Sequence, residues 1–347
     1  MFTKRHTRQR LVVAGLALVA LAVGALLLRM DLFDTSLQSI VYDKAIDIGN
    51  PPLANQVTIV ALDDQTVAQY RYPLPHQAYT DLLRALKPLN ASVIAFDVAF
   101  YDAAQNPEDD RALAAAIKDA GNVLLAMQGS GRVTLGDHTE RYPVVQLPIP
   151  VLRSAAAGVG TVNIHPDPDG RVRYAQLRIE GPDGATYYSL PLVAAASKVR
   201  ADLSSAQRTG DIFTVHAPLG DRVIPIDRRG GMSIYYAAPP APGPSDCSNK
   251  DLFCVVSMKD VINGAVPREL ITGRAVFIGA HTLSAVPDSY PVPNSSGDSM
   301  FGVEIWANAA QSILTNRYPV LKQSDPATLA QLLVVTLAGL LLVLRCR

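Results

Sequence analysis

The stretch "VTIVALDD", Val57 to Asp64, is an apolar run rich in β-branched residues that two aspartates stop abruptly. Such unbroken runs suit a strand buried on both faces, as in a parallel sheet covered by helices. The residues that follow agree. In "PHQAYTDLLRALKPL", Tyr79, Leu82, Leu83 and Leu86 recur at helical spacing and Pro88 closes the segment. A second apolar run, "ASVIAFDVAF", leads into "PEDDRALAAAIKDAG", a helix with acidic residues in its first turn and a glycine stop. "NVLLAMQG" then supplies a third strand. Strand, helix, strand, helix, strand predicts an α/β fold with a parallel sheet and right-handed crossovers.

From about Tyr142 to Tyr236 the pattern changes. "GVGTVNI", "RVRYAQLRIE", "DIFTVHA" and "GMSIYYAAP" read as strands, separated by "PDPDG", "GPDG" and "PLGDRVIPIDRRG". Those breaks are turn chemistry, so the stretch predicts an inserted antiparallel β layer, interrupted by one helix at Leu190 to Val199. After the Pro-rich loop "APPAPGPSDCSNKDLFC" come a helix, "SMKDVINGAVP", and a buried strand, "RAVFIGA". An amphipathic helix, "FGVEIWANAAQSIL", then places Val303, Trp306, Ala310 and Ile313 on one face.

The two ends differ from everything between them. Leu11 to Leu28, "LVVAGLALVALAVGALLL", and Ala327 to Leu344, "ATLAQLLVVTLAGLLLVL", carry no charge over 18 residues each. At ~1.5 Å per residue each reaches about 27 Å, close to the hydrocarbon thickness of a bilayer. They raise the mean hydropathy of the chain to +0.16. The first run also resembles a cleavable signal peptide with a site near Val23-Gly24-Ala25, but the apolar residues continue past it. Lys4, Arg5, Arg8 and Arg10 precede the first run, and Arg345 and Arg347 follow the second. The positive-inside rule therefore predicts two transmembrane helices with both termini in the cytoplasm. The expected organisation is a basic tail at 1–10, a span at 11–28, an extracytoplasmic domain at 29–325, a span at 327–344 and a short cytoplasmic end at 345–347. The partners that follow are the lipid bilayer and, for the signal, a second protein or a paired copy of the chain. With 31 basic against 31 acidic side chains in 347 residues, nucleic acid is excluded as a partner.

Cys247 and Cys254 flank "SNKDLF" inside the expected outer segment, where an oxidising compartment lets them form a disulfide. Closing so short a loop contributes about 2–3 kcal/mol on the chain-entropy model. A metal site is the other reading of two cysteines, but no histidine lies near them.

Three patterns invite a chemical reading. In "HPDPDG", His165 to Gly170, two aspartates and a glycine resemble the start of a calcium loop. That loop would need a carboxylate where His165 stands and a bidentate glutamate where Gln176 stands, so the match fails at both anchors. A turn explains every residue: proline fixes φ, aspartate accepts backbone hydrogen bonds and glycine takes positive φ. "ALDDQTV" invites comparison with phosphatases that place two aspartates two residues apart after a strand, but Asp63 and Asp64 are adjacent. The histidines of the outer segment are dispersed without ligand-like spacing, and no nucleophile elbow, phosphate loop or dinucleotide fingerprint occurs. No cofactor is expected. In parallel α/β sheets, ligands bind beyond the C-terminal strand ends. That rule selects Asp63, Asp64, Asp97, Asp102 and His281, with Arg71 and His76 in the first crossover, as candidate ligand-binding residues.

"VTIVALDDQTVAQYRYPLPH", "SVIAFDVAFYD", "VGTVNIHPDPDGRVRYAQL", "RAVFIGAHT" and "FGVEIWANAAQSIL" occur in the order seen in the CHASE type 2 family, which the chain resembles from about Ile40 to Leu321. The resemblance implies an extracytoplasmic sensory module without catalytic activity, serving a bacterial receptor; the expected ligand, which the family does not specify, is a small molecule or a peptide. The chain departs from the family where Trp306 replaces a usual histidine and "RYPLPH" replaces an R-W-P-W segment. Receptors of this family continue into a cytoplasmic effector, which this chain is expected to lack. The competing expectation is a membrane-tethered periplasmic hydrolase or phosphatase-like enzyme.

Overall fold

The computed structural model describes residues 42–43 and 56–319, apart from 136–138, 183, 228, 245–246, 249–251, 283, 285–287 and 294–298. All of these except Tyr42 and Asp43 belong to the unit Ile46–Pro319, the other unit being Met1–Ala45 with Val320–Arg347. The two uncharged runs, 11–28 and 327–344, lie outside the described residues, among which no helix is long and apolar enough to cross a membrane.

The first apolar run forms β1 (Val57–Leu62), buried at every residue as a doubly covered strand must be. Asp63 stops it and caps α1 (Asp64–Tyr70). Helix α2 (His76–Leu86) buries the four residues read at helical spacing and gives way at Lys87–Leu89 to a single 3-10 turn holding Pro88. β2 (Val93–Asp97) precedes α3 (Pro107–Ala120), whose Asn106 side chain accepts the Glu108 N–H and whose Gly121 ends the helix at φ 75°. β3 (Val123–Ser130), β4 (Val144–Gln146), β5 (Gly158–Thr161), α4 (Leu190–Val199), β6 (Cys254–Ser257), α5 (Met258–Ile262), β7 (Ala275–Ala280) and α6 (Gly302–Thr315) complete the core. The Cys247–Cys254 disulfide, with Cα atoms 4.6 Å apart, ties the Pro-rich loop to the start of β6.

The seven-stranded sheet runs β6-β1-β7-β2-β3-β4, with β5 also on β3. Every pair in it is parallel except β3–β4. Helices α2, α3 and α5 cover one face, where Val60, Phe96, Leu125 and Ile278 of the strands meet Leu82, Leu83, Leu113 and Ile117. Helices α4 and α6 pack together on the other face. Two strand glycines let them come close. A Cβ on Gly160 would lie 2.5 Å from the Leu190 backbone, and one on Gly279 would lie 2.8 Å from Cβ of Val303.

The close approach at Gly160 explains one departure from the sequence reading. "GVGT" was expected in the antiparallel layer, but it joins the parallel sheet as β5, because its glycines leave room for α4 to lie on it. The rest of the insertion is several small sheets rather than one layer. Thr186–Tyr188, Arg178–Glu180, Glu140–Arg141 and Val133–Thr134 form a four-stranded sheet that includes one parallel pair. Gln207–Thr209, Ile212–Val215 and Arg222–Pro225 form another, the last strand lying inside a stretch read as a turn. Gly231–Ser233 pairs with Tyr174–Gln176.

"HPDPDG" is a turn, closed by Gly170 N–H on the Asp167 carbonyl at 2.8 Å with Gly170 at φ 82°. Its aspartates have a further task. Asp167 and Asp169 grip the guanidinium of Arg173, which is 1% exposed, at 2.8 and 2.7 Å. A buried guanidinium is tolerable only when paired in this way.

Helix α6 is the second departure. Instead of one apolar face on the sheet, it is buried from Gly302 to Ile313 on all sides. Its polar residues Glu304, Asn308 and Ser312 stand four apart, so they form one stripe. That stripe accepts backbone N–H groups from the extended segment that leaves the small sheets. Glu304 accepts from Ala241 at 2.8 Å, Asn308 from Ala237 at 3.0 Å and Ser312 from Tyr235 at 2.9 Å. Asn308→Ala leaves the buried Ala237 donor unsatisfied, and the expected loss is about 2–3 kcal/mol of unfolding free energy. Urea denaturation with an unchanged m-value checks this; a loss under about 0.5 kcal/mol, the range of neutral surface changes, contradicts it.

Candidate functional site

Strands β1, β2, β3 and β7 end on the same edge of the sheet because they are parallel. Beyond that edge lies a cleft of about 980 Å³, reached by Leu62 of β1, Asp97 of β2, Ala126 and Gln128 of β3 and Ala280 of β7. This is where a doubly wound sheet leaves room for a ligand, and the volume suits a small molecule. The loop after β2 and the entry to α2 supply one wall, from Val98 to Asn106 and from Tyr72 to His76. Asp288, Tyr290 and Trp306 of α6 supply the other.

Two carboxylates dominate its electrostatics. Burial pushes the Asp97 carboxyl well above the usual range, and the nearby Asp288 charge adds to the effect. The Asp97 Oδ2 atom is buried and has no hydrogen-bond partner. Asp288 is raised too, by burial, against the Tyr290 hydroxyl that donates to it. It also sits over the start of α6, where a Cβ on Gly302 would lie 2.5 Å from its Oδ2. The positive end of a helix favours an anion there. Burial first and the neighbouring aspartates second push the Tyr101 and Tyr290 hydroxyls up to about 12, so both are protonated donors.

The seven residues expected to bind a ligand are distributed unevenly. His76, Asp97 and Asp102 line the cleft. His76 stands in the first turn of α2, its Nδ1 2.6 Å from Asp110 and its ring edge on Phe100. Asp102 is exposed at the cleft's margin. Asp63 is a helix cap, its Oδ1 accepting from Thr66 N at 3.0 Å, Thr66 Oγ1 at 2.6 Å and Ser257 Oγ at 3.0 Å. Asp64 is held below the usual carboxylate range by the hydroxyls of Ser284 and Thr282 that donate to it. Arg71 caps the end of α1 with φ at 62°. His281 is buried against Phe301 with Nε2 3.6 Å from Glu304. These last four do not line the cleft.

Asp288, Tyr290, Tyr101 and Trp306 line it without having been among the expected ligand-binding residues. Tyr101 had a signal, since it lies beside Asp102 in the loop that follows β2. Asp288 and Tyr290 lie in "PDSYP", and only its place between a buried strand and the last helix hints that it overhangs the strand ends.

A family model described as the CHASE2 domain matches residues 13–343. No curated protein and no solved structure matches the chain.

A carboxyl raised by folding binds its proton more tightly folded than unfolded. Its contribution to stability is therefore present below the unfolded pKa and lost as pH rises through the folded one. Asp97→Asn removes that loss, and the variant is expected to exceed wild type in stability at about pH 7, with the gap shrinking towards about pH 4. Urea melts across that range check it. A variant weaker than wild type at neutral pH, with the same pH slope, contradicts the assignment.

Proposed function

The chain belongs to the CHASE2 domain family, and from that membership we propose that it is the membrane-anchored signal-input module of a bacterial receptor. CHASE2 domains are extracellular sensory domains of signalling receptors. On this reading the runs 11–28 and 327–344 cross the inner membrane, the termini are cytoplasmic and the unit Ile46–Pro319 faces the periplasm. The stimulus is a small ligand in the cleft at the C-terminal strand ends.

The observation that carries the reading is the position of α6. It walls the cleft through Trp306, lies under Asp288 at its first residue and ends at Thr315, a dozen residues before the second uncharged run. A ligand that shifts the cleft wall shifts this helix. Pro319 and Pro326 restrict the chain between helix and run, so displacement is passed on rather than absorbed. The receiver is a cytoplasmic signalling domain or a second membrane protein. An enzymatic reading fares less well because Asp63, the natural nucleophile candidate after β1, is buried as a cap and does not line the cleft.

Reporter fusions test the topology. Alkaline phosphatase joined after Asn316 is expected to be active, and joined after Arg347 inactive, with a fluorescent-protein reporter giving the reverse pattern. Phosphatase activity from the Arg347 fusion contradicts the proposed receptor topology.

A further inference from the structure

We propose that the cleft takes a small organic cation, an amine or guanidinium group, seated between Asp97 and Asp288 and against aromatic walls. This rests on the cleft being the sensory site and names the chemistry it accepts. Charge is the first argument. Asp97, Asp102, Asp109 and Asp288 line the cleft, and among the described residues no lysine or arginine does. His76, the one side chain of the lining able to become a cation, is already engaged by Asp110 at 2.6 Å. An anionic ligand would meet four carboxylates and no compensating charge.

The second argument is the unmatched carboxylate. Asp288 has the Tyr290 hydroxyl and the start of a 14-residue helix to stabilise its charge. Asp97 has neither, and its Oδ2 is buried without a partner while the residue lines the cleft. Natural structures rarely leave a carboxyl short of donors, and a cationic donor in the cleft would give the Asp97 carboxyl a charge-assisted bond.

The third argument separates organic cations from metal ions. Tyr70, Tyr72, Tyr101, Tyr290 and Trp306 line the same space. Aromatic faces attract alkylated ammonium and guanidinium groups through their quadrupoles and give nothing comparable to a hydrated metal ion that needs oxygen ligands. Among the described residues no group of three or more acidic, histidine or cysteine side chains is placed to hold a metal.

Trp306 is the only tryptophan of the chain and lies in the lining, so its emission reports the cleft directly. The full chain is titrated at constant ionic strength with tetramethylammonium, guanidinium and spermidine chlorides, and separately with calcium chloride, sodium phosphate and glucose. The expected result is a saturable change in emission with at least one organic cation, weakened about thirtyfold or more in Asp97→Asn. Circular dichroism confirms that the variant is folded. Equal affinity in folded Asp97→Asn overturns the assignment, and so does a response to calcium in preference to the organic cations. A response to phosphate or glucose with none to the cations overturns the charge class while leaving the cleft as the sensory site. Silence towards every probe overturns both.

Discussion

Three side chains on one stripe of α6, Glu304, Asn308 and Ser312, accept the backbone N–H groups of Ala241, Ala237 and Tyr235. A helix normally offers no hydrogen bonds sideways, because its backbone groups are spent along its own axis. Here the side chains stand in for the edge of a strand. The segment they hold is the exit from the small antiparallel sheets, so the ladder fastens the insertion to the core. It also explains how a helix with polar residues at four-residue spacing is buried all round: each of the three has a backbone partner. With the ladder in place, Val303 can sit directly over Gly279 of the central strand β7, and Trp306 is fixed in the cleft wall.

That same ladder hid the helix from sequence reasoning. Polar residues four apart read as a solvent face, and the backbone donors that satisfy them lie more than sixty positions away in the chain. The parallel core was legible because its evidence is local. The unbroken apolar strands, the apolar stripe of α2, the acidic first turn of α3 and the Gly121 stop all act within a turn or two of themselves. "HPDPDG" was legible as a turn for the same reason, whereas its grip on Arg173 depends on that guanidinium being buried by residues elsewhere in the fold. The placing of β7 between β1 and β2 and the capture of "GVGT" by the main sheet are matters of long-range pairing, which no local pattern encodes.

The cleft divides along the same line. His76, Asp97 and Asp102 were found by the rule that ligands sit beyond strand ends, and all three border it. The rule cannot tell a residue that faces the space from one that caps a helix, so Asp63 and Arg71 were gathered with them. Asp288 and Tyr290 come from a loop that only the closed fold brings over the edge. What the geometry adds is an imbalance: two neighbouring carboxyls, one stabilised by a helix start and a hydroxyl, the other left with a buried, unmet oxygen. A site that holds an unmet acceptor when empty gains differential binding energy when filled, and only such a difference can shift a conformational equilibrium.

All of this hangs on α6 being fastened through its polar stripe, and native-state hydrogen exchange of the full chain tests that fastening most directly. The amides of Tyr235, Ala237 and Ala241 donate to the three side chains of the helix. The account predicts that they exchange with the same opening free energy as Ile59 and Phe277 in the paired central strands β1 and β7. Exchange of these three amides at the rate of an unprotected loop, while Ile59 and Phe277 stay protected, would contradict it.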